Sequence, residues 1–247
     1  MQKEKIIGIN PVLEALRAGR PVQRLLIAEQ RKMDREVHEI LRLARERAIE
    51  VRMMSRDALN RESPGALHQG VIAIASAREY ASFDDILRIP AQRGEAALFL
   101  VLDSVEDPRN LGAILRTADA AGVHGVIIPE RRAAGLTEIV AKTAAGALEY
   151  IPVVKVVNVV NALKELKKNG IWVVGAEAGS ATVYWDADFK QPTALVIGGE
   201  DKGVRRLVKE HCDYVVSLPL MGHINSLNVS VAAGTVLYEI LRQRRKS

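Results

Sequence analysis

The sequence predicts an α/β protein in two parts: a small N-terminal α/β unit, then a larger domain built on a mostly parallel sheet. Three observations lead there. From residue 96 onward, short apolar runs alternate with stretches of helical period, the pattern of a parallel sheet covered on both faces. Residues 77–95 break that rhythm with Pro90, Gly94 and mixed charges, as a linker would. Residues 1–76 show the same alternation on a smaller scale. The expected boundaries are therefore 1–76, a linker over 77–95, and 96–247.

In the first part, residues 6–9 read as a strand or a lead-in to a helix. Asn10-Pro11 has the chemistry of a helix start, with Asn as cap and Pro in the first position, and Gly19 marks its end. Residues 25–28 read as a strand. Residues 34–47 read as a helix with Val37, Ile40, Leu41 and Ala44 on one face. Residues 51–54 and 71–75 read as strands, separated by the turn-rich SPGALHQG at 63–70.

In the second part, strands are expected at 97–102, 125–128, 151–154, 171–175, 194–198 and 214–217. Helices are expected at 111–121, 157–169, 204–210 and 227–244. Ligands of such sheets bind beyond the carboxyl ends of the strands, so the loops there are the candidate binding site.

Composition narrows the function classes. Hydrophobic residues are 48% and charged residues 26% of the 247, ordinary for a globular protein, while aromatics at 4% leave Val, Ile, Leu and Ala to build the core. No apolar run nears the roughly 18 residues of a membrane span, and the N-terminus lacks the apolar stretch of a signal peptide. With a single cysteine, Cys212, no intrachain disulfide is expected, and a cytoplasmic location is the simplest expectation. Net charge is +5, and residues 1–80 carry 15 Lys/Arg against 11 Asp/Glu. That suits a polyanionic partner, although alternating signs such as Arg42, Arg45, Glu46 and Arg47 also describe a solvated helix face. The five histidines form no metal-binding spacing, and no metal is expected.

Three polar loops follow strands. The first is DSVEDPRNLGAILR (103–116): Asp107-Pro108 is a turn signal, Asn110 can cap a helix beginning at Leu111, and Arg109 and Arg116 are cationic. The second is GGEDKG (198–203), where Gly198 and Gly199 let backbone approach a ligand and Glu200 and Asp201 offer carboxylates. It is neither the dinucleotide fingerprint nor a phosphate loop, which weakens nicotinamide and nucleoside-triphosphate readings. The third, 219–228, places Gly222, Asn225, Ser226 and Asn228 before a helix rich in Val, Ala and Leu. Asn225 or Ser226 would serve as its cap.

Together these loops resemble the three motifs of the SpoU (TrmH-type) branch of the SPOUT RNA methyltransferases. LDSVEDPRNLGAILRTADAAGVHGVIIP resembles the first motif, LVIGGEDKGVRR the second, and LPLMGHINSLNVSVAAGTVLYEILRQ the third. IIGINPVLEAL and GALHQGVIA resemble the RNA-binding domain of the enzymes that methylate a guanosine 2′-oxygen of 23S ribosomal RNA. The resemblance implies a C-terminal trefoil knot in the SPOUT-type α/β domain, an N-terminal L30-like α/β domain, a homodimer, and S-adenosyl-L-methionine as cofactor. By position, the residues implied in catalysis are Asn110, Arg116, Glu200, Ser226 and Asn228. Cofactor contacts are implied around Gly198, Gly199, Leu218, Leu220, Asn225, Ser226 and Leu227. RNA contacts are expected from residues 1–76 and from Arg109, Arg116, Arg131 and Arg132. One departure is Gly199, where many relatives carry Ser; the added backbone freedom should be tolerated at the loss of a hydroxyl contact.

Arg116 is the family's candidate for activating the 2′-hydroxyl. A guanidinium is a poor base at neutral pH, so a hydrogen-bonding and charge-stabilising role is the better expectation. Three other readings stay open: a transfer RNA ribose methyltransferase of the same superfamily, a non-catalytic RNA-binding or ribosome-assembly protein, and a Rossmann methyltransferase.

Overall fold

The computed structural model describes residues 3–200, 203–224 and 226–245; Asp201 and Asn225, named above, lie outside them. The chain folds as two units, one made of residues 1–79 with 136–150, the other of residues 80–135 with 151–247.

The first unit runs β1 (Lys3–Ile7), α1 (Ile9–Arg17), β2 (Val22–Ala28), α2 (Arg35–Glu46), β3 (Glu50–Met54), α3 (Arg56–Glu62) and β4 (Val71–Ser76). Its sheet has the order β1-β4-β2-β3, with β4 antiparallel to both neighbours and β2 parallel to β3. Helices α1 and α2 bury Val12, Leu16, Val37, Ile40 and Ala44 with Leu25, Val71 and Ala73. Side-chain caps explain where helices begin: Asp34 accepts from the Val37 N–H, and Ser55 from the Ala58 N–H. Helix α1 starts one residue before the predicted Asn10 cap, after Gly8 at φ 101°.

The second unit continues with α4 (Phe83–Arg93), β5 (Leu98–Asp103), α5 (Pro108–Ala120), β6 (Gly125–Pro129), β7 (Val153–Val156), α7 (Val159–Lys168), β8 (Trp172–Ala176), β9 (Thr182–Val183), β10 (Thr193–Gly198), α8 (Arg206–Lys209), β11 (Tyr214–Ser217) and α9 (Val229–Arg245), while α6 (Glu138–Thr143) belongs to the first unit. The strand order is β7-β6-β5-β10-β8-β11-β9, and every pairing is parallel. Strands β5 and β10 are buried along their whole length, as their unbroken apolar runs require of strands covered on both faces. Counted from β5, the order is 3-2-1-6-4-7-5. It begins like the Rossmann order 3-2-1-4-5-6 and then departs from it, placing β10 against β5.

Two expectations fail here. Residues 77–95 are not a bare linker: they carry α4, whose Ile86 is fully buried in the core of the second unit. The signal was Ser82, which caps the helix by accepting from the Asp85 N–H, with Gly94 closing it in the left-handed conformation at φ 66°. Pro90 is accommodated inside α4 instead of ending it. Secondly, residues 136–150 leave the second unit after β6. Arg20 pairs with Glu149 and Glu4, Arg78 with Glu149 and the Leu148 carbonyl, and the Tyr150 hydroxyl donates to Glu14 at 2.6 Å. The partners of residues 148–150 lie 70 to 136 residues away in sequence and carry no periodic signal, which is why this segment read as part of the larger domain.

Among the described residues, no helix is long and apolar enough to cross a membrane. Cys212 is partly buried, and desolvation pushes its thiol up to about 12, so it is an inert small side chain.

Candidate active site

The carboxyl ends of β5, β10 and β11 lie at one edge of the second sheet, and the three polar loops follow these strands. Strand β5 ends in Asp103, a fully buried carboxylate. Its Oδ1 accepts from Arg205 Nε at 2.7 Å and its Oδ2 from the Arg205 backbone N–H at 2.9 Å. This pair fastens the loop after β10 to the end of β5. The sequence reading missed it, although a lone acid closing the apolar strand LFLVLD was a usable signal. Asp103→Ala is expected to lower unfolding free energy by about 2 kcal/mol, because two charge-assisted bonds vanish while the half-exposed Arg205 can turn to water. A urea unfolding midpoint equal to that of the wild type would contradict this.

The loop after β10 is tight. A Cβ on Gly198 would lie 2.0 Å from the Gly203 carbonyl carbon, and one on Gly199 would lie 2.0 Å from the Ser104 carbonyl oxygen. Gly199 is thus required here by close backbone approach, and the expectation of a merely tolerated substitution is corrected. Ser104 itself has φ 71°, a left-handed position that few residues other than Gly, Asn and Asp adopt.

Helix α5 begins at Pro108, earlier than the sequence suggested, because Asp107 takes the capping role and accepts from the Arg109 N–H at 2.6 Å. Asn110 is thereby freed from capping. Its Nδ2 donates to Glu200 Oε1 at 2.6 Å, and its Oδ1 accepts from Asn228 Nδ2 at 3.0 Å. Asn228, not the predicted Ser226, caps α9: its Oδ1 accepts from the Ser230 N–H at 2.9 Å and the Ser230 hydroxyl at 2.5 Å. One hydrogen-bonded chain, Glu200–Asn110–Asn228, therefore links all three loops, and it holds the N-termini of α5 and α9 together. Two positive helix ends meet there, a setting that favours a negative group nearby.

Beside this chain lies a cavity of 470 Å³ lined by Gly198, Gly199, Glu200, Leu218, Leu220, Ser226 and Leu227 together with Glu177, Ala178, Gly203 and others. Asn225 lies outside the described residues. Arg116 is exposed on α5. It is six residues beyond Asn110, about 9 Å along the axis and about 120° around it, and is not joined to the polar chain. Arg109 is exposed in the first turn of α5, and Arg131 and Arg132 are exposed in the loop after β6.

Comparison with known proteins now bears on this geometry. The SpoU rRNA Methylase family matches residues 97–238, and an RNA 2′-O ribose methyltransferase substrate-binding family matches residues 5–81. A protein of Bacillus subtilis (strain 168), named for the TrmH family of tRNA/rRNA methyltransferases, is 45% identical over 98% of this chain and 97% of its own length. The SpoU methyltransferase AviRb from Streptomyces viridochromogenes, solved with AdoMet, is 31% identical with a TM-score of 0.82, over 99% of this chain and 92% of that one. A solved RNA 2′-O ribose methyltransferase superposes with a TM-score of 0.78 at 27% identity, over 98% of this chain and 89% of that one. The chain belongs to the SpoU family of RNA methyltransferases.

Proposed function

We propose that this chain transfers a methyl group from S-adenosyl-L-methionine to the 2′-oxygen of a guanosine ribose in 23S ribosomal RNA. The observation that carries the reading is the Glu200–Asn110–Asn228 chain beside the glycine-walled cavity, which brings all three family motifs to one place. The residues present fit the cofactor. Backbone lines the cavity at Gly198, Gly199 and Gly203, apolar walls come from Leu218, Leu220 and Leu227, and a buried carboxylate oxygen of Glu177 has no hydrogen-bond partner among the described residues. When bound, the cofactor supplies an already activated methyl group, so the protein's task is alignment. Gly198, Gly199, Leu218, Leu220, Ser226 and Leu227 hold the donor, with Asn225 assigned by family position. Asn110, Glu200 and Asn228 fix the approach of the ribose. The exposed cation of Arg116 meets the RNA phosphate and the charge growing on the 2′-oxygen. Arg109, Arg131 and Arg132 contact the RNA backbone with residues 1–76.

Asn110→Ala removes two hydrogen bonds from the chain, each worth about 1 kcal/mol, so methyl transfer should fall roughly 30-fold. An unchanged rate in the folded variant would show that the chain does not orient the reactants.

A second copy of this chain completes the proposed enzyme. Val231 and Tyr238, seven residues apart on α9, are both about half exposed on one helix face, and sedimentation equilibrium would report the dimer. The deciding experiment incubates the purified protein with methyl-labelled AdoMet and either 23S ribosomal RNA or transfer RNA, then maps the modified nucleoside by mass spectrometry. A 2′-O-methylguanosine in 23S RNA is expected. Label in transfer RNA alone would favour a transfer RNA enzyme of the same family. Cofactor binding without transfer to any RNA would favour a non-catalytic role.

A further inference from the structure

We propose that Glu177 is a specificity residue for the methyl donor, accepting a hydrogen bond from a ribose hydroxyl of the bound cofactor through Oε2. The inference rests on the cofactor reading above and adds a residue that none of the three motifs contains.

Glu177 follows directly after β8, at the carboxyl end of a strand whose neighbour β10 leads into the glycine loop. Its backbone is held, since its N–H donates to the Val216 carbonyl at 2.9 Å. Its side chain runs past that loop: a Cβ built on Gly203 would lie 3.8 Å from Glu177 Cγ and 4.0 Å from Cδ. The side chain also lines the 470 Å³ cavity.

The two carboxylate oxygens differ. Oε1 accepts from Lys209 Nζ at 2.9 Å. Oε2 is shielded from water and finds no partner among the described residues. A carboxylate oxygen without a donor loses its hydration and receives nothing in return, so native structures rarely leave one in that state. Glu177 as a residue lines the cavity, so a small turn of its carboxylate would bring Oε2 to a donor that arrives with the ligand.

The chemistry of that donor follows from Lys209. The lysine already compensates the carboxylate charge and tethers it, so what remains is acceptor capacity and not a demand for a second cation. A sulfonium carries no proton to give. A neutral vicinal diol offers two adjacent hydroxyl donors and needs an acceptor fixed in place, which the Lys209 tether provides. Glu177 thus reads the sugar of the donor, while the polar chain of the three motifs faces the sugar of the acceptor.

The test is isothermal titration of the full-length protein and of Glu177→Ala, with Glu177→Asp as a gentler variant that keeps the charge and withdraws the oxygen. The ligands are S-adenosyl-L-methionine, 5′-methylthioadenosine, and the 2′,3′-dideoxy form of the latter. Glu177→Ala should weaken the first two about ten- to hundredfold, the range for a hydrogen bond to a charged group. The dideoxy compound should bind the wild type and both variants with equal, low affinity. Glu177→Asp should lose in the same direction. The inference is overturned if the folded variants bind all three ligands as the wild type does. It is overturned equally if the dideoxy compound loses as much as the others, or if only S-adenosyl-L-methionine is affected, which would point to the amino-acid end. If the wild type bound no S-adenosyl-L-methionine, the cofactor reading would fall and this inference with it; a binding wild type with an indifferent Glu177 would sink the inference alone.

Discussion

Replacing Arg116 with alanine should lower single-turnover methyl transfer by about 10²–10³-fold, the loss typical of deleting one donor aimed at a developing oxyanion. Cofactor affinity should not change, because Arg116 does not line the cavity. Arg116 is exposed on α5 and shares that helix with Asn110, so one rigid element carries both the cation and the centre of the polar chain. A guanidinium is a poor proton acceptor, so it acts as a donor fork and a fixed charge and not as a base. Arg116→Lys should therefore recover only part of the rate, since an ammonium cannot present two parallel N–H groups. The pH profile of the residual reaction should keep its shape. A rate in Arg116→Ala equal to that of the wild type would remove the residue from the mechanism, and a changed pH profile would restore the case for proton abstraction.

Gly198→Ala should be the most damaging single substitution at the site. The added methyl would lie 2.0 Å from the Gly203 carbonyl carbon and 2.2 Å from the Val204 nitrogen, and neither backbone atom can rotate away. The loop after β10 would have to move, yet Arg205 anchors it to the buried Asp103. The cost should reach about 3 kcal/mol, the upper end for overpacking, and binding of S-adenosyl-L-methionine should be abolished because the same backbone walls the cavity. Urea denaturation followed by titration calorimetry separates the two effects. A variant as stable as the wild type that still bound cofactor would show that the loop has slack the packing does not reveal.

Most strands of the two sheets were legible from their apolar runs and marked turns, whereas the two-residue β9 was not and β1 begins three residues before the run at 6–9. Residues 194–198 and 98–103 announce buried parallel strands by composition alone. What escaped was whatever depends on pairing across the chain. Asn110 looked like a helix cap because it precedes an amphipathic stretch; only the structure shows that Asp107-Pro108 does that job and leaves the Asn110 amide to join Glu200 and Asn228. Asp103 and Arg205 are 102 residues apart, and Glu177 and Lys209 are 32 apart, with no spacing rule to connect them. The motif residues were found by family resemblance, since each alone had an adequate explanation as turn or cap.

The membership of residues 136–150 in the first unit has a consequence for anyone who cuts this protein. The polypeptide passes between the units after Glu79, after Gly135 and after Tyr150. A fragment beginning at residue 80 would keep α6 and the Glu149 carboxylate but lose Arg20, Arg78 and Glu14, the groups that satisfy that segment. It would leave an acid without its bases and a helix without its sheet, and so invite aggregation or proteolysis there. Gene fragments should be designed with residues 136–150 bridged by a short linker, or the two units left joined.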